Sequence, residues 1–254
     1  MRNIKIVFSY DGSLFFGSQA QSGKRTVQED LQVAIQKLTG EKVKLTLAGR
    51  TDRGVHAFSQ AANFQTSSSI PAERFAYALN GKLDDGITVI SSEEAKASFS
   101  ARRNAKTREY LYYVFNGKHL PVMFQGRAYH VSGPLDMKKM AEAAKLIKGK
   151  HDFRNFCASG GSHTSSIRCV HVLDIGIVGD DLTKETGLPG NLIRFRIVAG
   201  SFLYKMVRFI VATLLEAGKG KISMETVKKM MKGELNVQRT VVPSCGLYLN
   251  KVKY

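Results

Sequence analysis

The stretch from Leu47 to Ala57 reads Leu-Ala-Gly-Arg-Thr-Asp-Arg-Gly-Val-His-Ala and crowds Arg50, Asp52, Arg53 and His56 into one short polar patch. A carboxylate between two guanidinium groups has two readings. One is a surface ion pair, which contributes little to stability. The other is a carboxylate kept ionised by its neighbours and aimed at a substrate, as a nucleophile or a base. A connecting loop needs turn residues, and Gly49 and Gly54 would suffice. It does not need two arginines around one acid. Chemistry alone leaves both readings open. His56 is close by, but a single loop histidine is more often structural. No serine is visibly paired with a histidine and an aspartate, a weak argument against a hydrolase triad, which is spatial rather than sequential.

Two further residues stand out. Tyr110 lies in Thr107-Arg-Glu-Tyr-Leu-Tyr-Tyr, where strand alternation puts Arg108, Tyr110 and Tyr112 on one face. A tyrosine there either packs in a core, the reading preferred for Tyr112 and Tyr113, or stacks on a nucleobase. Arg208 interrupts the apolar Met206-Val-Arg-Phe-Ile-Val. A helix usually turns such an arginine to solvent, but at the edge of the buried stripe it could also pair with a carboxylate.

The elements that must hold these residues follow from hydrophobic period. Asn3 to Tyr10 alternates as a strand. Thr26-Val-Gln-Glu29 is a capping box, and the helix it opens carries Val27, Leu31, Ala34, Ile35 and Leu38 to a stop at Gly40. Strands are expected at Val43 to Gly49, Phe58 to Gln65 and Ile87 to Ser91, with a helix from Pro71 between the last two. Strand, helix, strand, strand, helix, strand is a split βαβ, ferredoxin-like order. The second half is expected to be built alike, by order of elements alone: strands at Lys106 to Phe115, Ile167 to Val178, Leu192 to Val198 and Gly246 to Val252, a short one at Arg127 to Val131, and helices from Asp136, over Leu203 to Ala217, and around Met224 to Met231. A Gly- and Asp-rich loop is expected over 179–190. The expected fold is α+β, two ferredoxin-like βαββαβ halves with mainly antiparallel sheets and a central cleft. The halves are 1–100, carrying the polar loop, and 101–254.

Composition narrows the partners. With 38 Lys and Arg against 21 Asp and Glu, the chain of 254 residues has a formal net charge of +17. That excess points to a polyanion, with nucleic acid first and an acidic membrane surface second. Arg102, Arg103, Lys106 and Arg108 form one basic run, and Lys228, Lys229 and Lys232 another. Charge runs are usually solvated faces, but here one of them is expected to meet phosphates. The three cysteines, Cys157, Cys169 and Cys245, lack zinc-ligand spacing and read as buried free thiols in a reducing compartment. There is no apolar signal core at the N-terminus and no apolar run near the ~20 residues a membrane helix needs. The expectation is a cytoplasmic protein without a membrane span. No P-loop or dinucleotide glycine motif is present.

Taken together these residues resemble the tRNA pseudouridine synthase A family over nearly the whole chain. Gly49-Arg-Thr-Asp-Arg-Gly-Val-His-Ala57 is similar to the family's Gly-Arg-Thr-Asp-x-Gly-Val-His-Ala signature. Tyr10-Asp-Gly with Gly17 and Gln19, Thr26-Val-Gln-Glu29, Phe99 to Tyr110, Gly149-x-His-Asp-Phe153 with Phe156, Met206-Val-Arg208 and Gly246-Leu-Tyr248 support it. Ser18 departs from the pattern, standing where the family commonly has Trp. It removes an aromatic from a structural turn and leaves the catalytic residues untouched.

The resemblance implies that Asp52 is the catalytic aspartate and that Arg50 helps displace the target base and holds the opened RNA. It implies that Tyr110 packs on the target uracil and that Arg208 pairs with Asp52. It implies conversion of uridine to pseudouridine at nucleotides 38, 39 and 40 in the anticodon arm of tRNA, by a homodimer that uses no cofactor and no metal. The reading from another class is a non-catalytic RNA-binding or RNA-chaperone protein, in which Arg50 and Asp52 are only a loop ion pair. A carboxylate in an otherwise basic loop speaks against it, since phosphate binding alone disfavours one.

Overall fold

Alternation along Arg2–Tyr10 sends Ile4, Ile6 and Phe8 to one side, and all three are fully buried in the computed structural model of the protein. The structure describes residues 1–161, 164–178, 190–235 and 241–254, so the expected loop at 179–190 lies outside the described residues except for Gly190. The fold is α+β with mostly antiparallel strands and, among the described residues, five α-helices. The chain divides into two compact units, 1–106 with 248–254, and 107–247.

In the first unit, strand β1 (Arg2–Tyr10) pairs antiparallel with β3 (His56–Thr66) on one side and with β4 (Ile87–Ala95) on the other. Helix α1 (Val27–Thr39) starts where the capping box predicts, with the Thr26 side chain accepting from the Glu29 N–H. It ends at Gly40, whose φ of 77° favours a residue without Cβ. Its buried side, with Leu31 and Ile35, joins the core formed by Phe64 and by Phe75 and Leu79 of α2 (Phe75–Asn80). The Phe64 and Phe75 rings meet edge to face at 5.6 Å. Pro71 opens a 3₁₀ turn over Ala72–Arg74, and the α-helix follows only after it.

Strand β2 (Thr46–Leu47) is two residues long, not the seven that alternation suggests. Because β1 occupies one edge of β3 along its length, β2 must share the other edge. There Thr46 and Leu47 face Asn63 and Ala62, while strand β10 (Leu247–Lys253) takes the beginning of β3, with Tyr248 opposite His56 and Leu249 opposite Ala57, in parallel. The last strand, assigned by sequence order to the second half, therefore builds the first unit's sheet. Its end covers the face bearing Val7, Ala48 and Ala61, and the Tyr254 hydroxyl donates to the Ala101 carbonyl at 3.1 Å.

In the second unit, β5 (Thr107–Asn116), β9 (Asn191–Ala199), β8 (Ile167–Val178) and β7 (Gly149–Asp152) form an antiparallel ladder in that order, with β6 (Tyr129–Val131) parallel to β5. Helix α3 (Met137–Ile147) is capped by Asp136, which accepts from the Lys138 and Lys139 N–H groups. Helix α4 (Met206–Gly218) is buried almost all round, and α5 (Met224–Lys232) closes the layer. Cys157, Cys169 and Cys245 are not bridged, and each is half-buried where full burial was expected.

Candidate active site

The polar stretch between β2 and β3 is tied down at its backbone and open at its charged side chains. Thr51 carries most of the ties. Its N–H donates to the Ser18 hydroxyl at 2.8 Å, its carbonyl accepts from the Ser18 N–H at 3.1 Å, and its hydroxyl shares a 2.7 Å hydrogen bond with the Tyr10 hydroxyl. Thr51, Ser18 and Tyr10 are buried. Buried hydrogen bonds of this kind are costly to break, because each abandoned donor or acceptor loses water without gaining a partner. Thr51 lies directly between Arg50 and Asp52, so both flanking side chains start from a fixed backbone.

Beyond Asp52 the chain turns back at once. The Val55 N–H donates to the Asp52 carbonyl at 3.2 Å, and Gly54 takes φ 77° at the third position of this turn, which L side chains rarely adopt. The Gly54 N–H then donates to the Gly12 carbonyl at 3.2 Å. Gly12 is close against Val55: a Cβ there would stand 2.1 Å from the Val55 carbonyl oxygen. The Tyr10-Asp-Gly motif thus acts as the wall against which the loop is pressed. A bulge in the β1–β3 pairing, where Phe8 faces Gln60 but Tyr10 faces Ala57, falls at the same place. Bulges of this kind often lie next to active sites. The outcome is a half-buried Asp52 flanked by exposed Arg50 and Arg53.

His56 is structural. It is the first residue of β3, only 2% exposed, and its ring stacks on Tyr248 at 4.6 Å. Its Nδ1 lies 3.1 Å from the Gly12 N and 3.2 Å from Asp11 Oδ1. It can accept from the amide or donate to the carboxylate, not both. Asp11 Oδ1 already accepts from the Ser13 N–H and hydroxyl, so Nδ1 is best read as the acceptor of the amide proton. Phe58 stacks on Tyr248 as well, at 4.7 Å.

The second unit holds Tyr110 and Arg208. Tyr110, on β5 and 8% exposed, meets Phe202 edge to face at 5.1 Å. Arg108, two residues before it, donates to the Gly200 carbonyl at 2.8 Å. Tyr112 is a core tyrosine, fully buried, with its hydroxyl donating to the Pro243 carbonyl at 2.8 Å. Burial pushes its phenol far above the ordinary range, and the nearby Arg208 charge opposes that push. Arg208 lies half-buried in the first turn of α4 and its Nε donates to the Val242 carbonyl at 2.8 Å. The residue before that helix, Lys205, has φ 60°, the one left-handed non-glycine among the described residues. Such a conformation costs about 1–2 kcal/mol.

The first unit therefore holds Arg50 and Asp52, and the second Tyr110 and Arg208. Ser18, Tyr10 and Thr51 are missed by reading for chemistry, because a small buried polar residue has no pattern of its own. The available signal was Ser18 itself, a departure inside an otherwise kept motif.

Comparison with known proteins agrees with the loop. The tRNA pseudouridine synthase family model matches residues 6–102 and 143–254. The chain is 44% identical to the tRNA pseudouridine synthase A of Thermoanaerobacter sp. (strain X514), 42% to that of Bacillus subtilis (strain 168) and 40% to that of Acetivibrio thermocellus. The alignments cover 100%, 99% and 100% of this chain and 100%, 98% and 100% of the relatives. The solved "Crystal structure of the archaeal box H/ACA sRNP Nop10-Cbf5 complex" aligns with 84% of this chain and 43% of that chain at 13% identity, with a TM-score of 0.34, a likeness on which nothing further rests. The chain belongs to the tRNA pseudouridine synthase family and is an isomerase.

Proposed function

We propose that the protein converts uridine to pseudouridine at nucleotides 38, 39 and 40 of tRNA, in the anticodon arm, with Asp52 as its catalytic residue. The observation that carries this reading is the complete 49–57 signature, fastened through Thr51 and Gly54 so that Asp52 is displayed on a fixed loop. Such fixing is what positioned chemistry requires. In the reaction the N1–C1′ bond breaks, the uracil turns, and C5 bonds to C1′. The C5 hydrogen leaves as a proton and N1 takes one up. Glycosidases commonly use two carboxylates because water must be activated. Here the detached base is itself the nucleophile, so a single carboxylate suffices. Asp52 either attacks C1′ or removes the 2′ proton to give a glycal.

Arg50, Tyr110 and Arg208 are assigned to the substrate: Arg50 to the displaced strand, Tyr110 to the face of the uracil, and Arg208 to the carboxylate's charge. A base in a stem has to be extruded first, at a cost of a few kcal/mol. The net charge of +17 favours the RNA backbone that comes with it. The protein is further proposed to act as a homodimer in the cytoplasm. Among the described residues no helix is long and apolar enough to cross a membrane.

The test is tritium release from tRNA labelled with [5-³H]uridine, since joining the uracil through C5 must expel the C5 hydrogen. The parent protein is expected to release tritium and Asp52→Ala to release none. Release at the parent rate by Asp52→Ala would overturn the assignment. Binding of tRNA with no release by the parent would leave an RNA-binding protein without this chemistry.

A further inference from the structure

Arg53 occupies the one variable place in the signature, directly after Asp52. Its guanidinium carbon lies 4.3 Å from the centre of the Phe16 ring, and the Lys24 ammonium lies 4.8 Å from the same centre. The two positive charges are therefore within about 9 Å of one another, close to a Debye length at physiological salt, so each feels the other. All three side chains are exposed. Neither cation meets a carboxylate among the described residues, whereas neighbouring Arg25 is paired with Asp30 at 2.9 Å.

The scaffold under this cluster is well defined. The Phe16 N–H donates to the Arg25 carbonyl at 2.9 Å, and the Gln21 side chain donates to the Phe16 carbonyl at 3.0 Å. Gln21 and Lys24 form a bridge, turned by Gly23 at φ 68°. On the other side Arg53 rides on the turn closed between Asp52 and Val55. Each cation–ring contact is modestly favourable at an exposed site, because the ring face is the negative end of its quadrupole. The ring thus gathers two long side chains that would otherwise separate, and holds their repulsion unrelieved. An anion between them relieves it. Part of the entropy of ordering both side chains is already spent before binding.

We propose that Lys24, Phe16 and Arg53 form a phosphate clamp, which takes a backbone phosphate of the RNA strand flanking the target uridine. This rests on the proposed function for the identity of the RNA. The chemistry of the ligand follows from two unpaired cations beside the reactive carboxylate. Because Arg53 is adjacent to Asp52 in the chain, their Cα atoms are about 3.8 Å apart, and a phosphate held there restrains the nucleotide on which Asp52 acts.

The test measures the dissociation constant of unmodified tRNA against salt for the parent, Arg53→Ala, Lys24→Ala and Arg53→Lys, with Lys37→Ala, exposed in the last turn of α1, as a charge-loss control away from the cluster. Tritium release is followed on the same preparations. A lost phosphate contact lowers the slope of log affinity against log salt by about 0.7–1. Arg53→Ala and Lys24→Ala are expected to show that drop, with about 3- to 10-fold weaker binding near 0.1 M salt. Arg53→Lys keeps the parent slope, and the control keeps it within about 0.3. Parent slopes in both alanine variants overturn the clamp, as does an equal drop in Lys37→Ala, which would report only diffuse charge. Should the parent bind tRNA but release no tritium, the proposed reaction fails and the slopes still decide the clamp.

Discussion

Ser18 and Thr51 are joined twice: the Thr51 N–H donates to the Ser18 hydroxyl at 2.8 Å, and the Ser18 N–H donates to the Thr51 carbonyl at 3.1 Å. One small residue thereby fixes the peptide groups on both sides of Thr51, and with them the starting points of Arg50 and Asp52. Ser18→Ala removes the acceptor and leaves the Thr51 N–H buried without a partner, at a cost of about 1–3 kcal/mol. Single-turnover tritium release is expected to slow about 10-fold or more, while tRNA affinity changes by less than about 3-fold. Equal losses in rate and affinity would argue that Ser18 supports the unit as a whole rather than the loop.

The hydroxyl pair of Tyr10 and Thr51 is expected to behave as one interaction. Tyr10→Phe and Thr51→Val each leave the other hydroxyl buried. The double variant should be less destabilised than the two single effects added together, with a coupling of about 1 kcal/mol in denaturant unfolding. Additive effects would mean that the 2.7 Å contact carries no energy of its own.

Gly12 has no room for a methyl group. Alanine would place Cβ 2.1 Å from the Val55 carbonyl oxygen, and that neighbour is backbone, which cannot swing aside. Gly12→Ala is expected to destabilise the protein by about 3 kcal/mol or more and to abolish tritium release. Gly23→Ala is the comparison: nothing lies near its missing Cβ, so its cost is only that of a positive φ, about 1 kcal/mol.

Asp152 offers a titration that can be followed directly. Hydrogen bonds from the Arg154 side chain, at 2.8 Å for Nε, bring its carboxyl down from 3.8 to about 2. Because the folded value is the lower one, the stabilisation is fully present above the unfolded value near 3.8 and is lost as pH falls through about 2. Arg154 is largely exposed, so the contribution is below about 1 kcal/mol. In Arg154→Ala the Asp152 carboxyl is expected to titrate clearly higher by carbon-detected NMR, held below the ordinary carboxylate range only by the Ser166 side chain and the residue 154 N–H. A value still near 2 would assign the shift to the rest of the turn.

Much of the first unit could be read from local sequence. The Thr26 cap, the Gly40 stop and the Ile4, Ile6, Phe8 alternation are rules about neighbours a few residues apart, and the structure obeys them. The shortened β2 and the placement of β10 could not be read this way. Both depend on how one edge of β3 is shared, and parallel pairing between Tyr248 and His56 leaves no trace in the residues near either. The same limit applies to the site. Asp52 and Arg50 stood out because their charges are unusual for a loop. Ser18 stood out only as a departure from the family pattern and not by its chemistry, because its work lies in one hydroxyl and one amide aimed at a distant residue. His56 stood out by type, but stacking on Tyr248 and the bond from Gly12 give it a structural task.

The pairing of β10 with β3 also sets a timetable. Tyr248 follows His56 by 192 residues in the chain. At a synthesis rate of about 5–20 residues per second, that gap lasts roughly 10–40 s. Until it closes, the nascent chain has one edge of β3 uncovered at its start and the His56 ring without the tyrosine it stacks on. The sheet edge beside the start of β3 is thus completed only after the whole second unit, 107–247, has been made, so the loop that carries Asp52 reaches its final support late in synthesis.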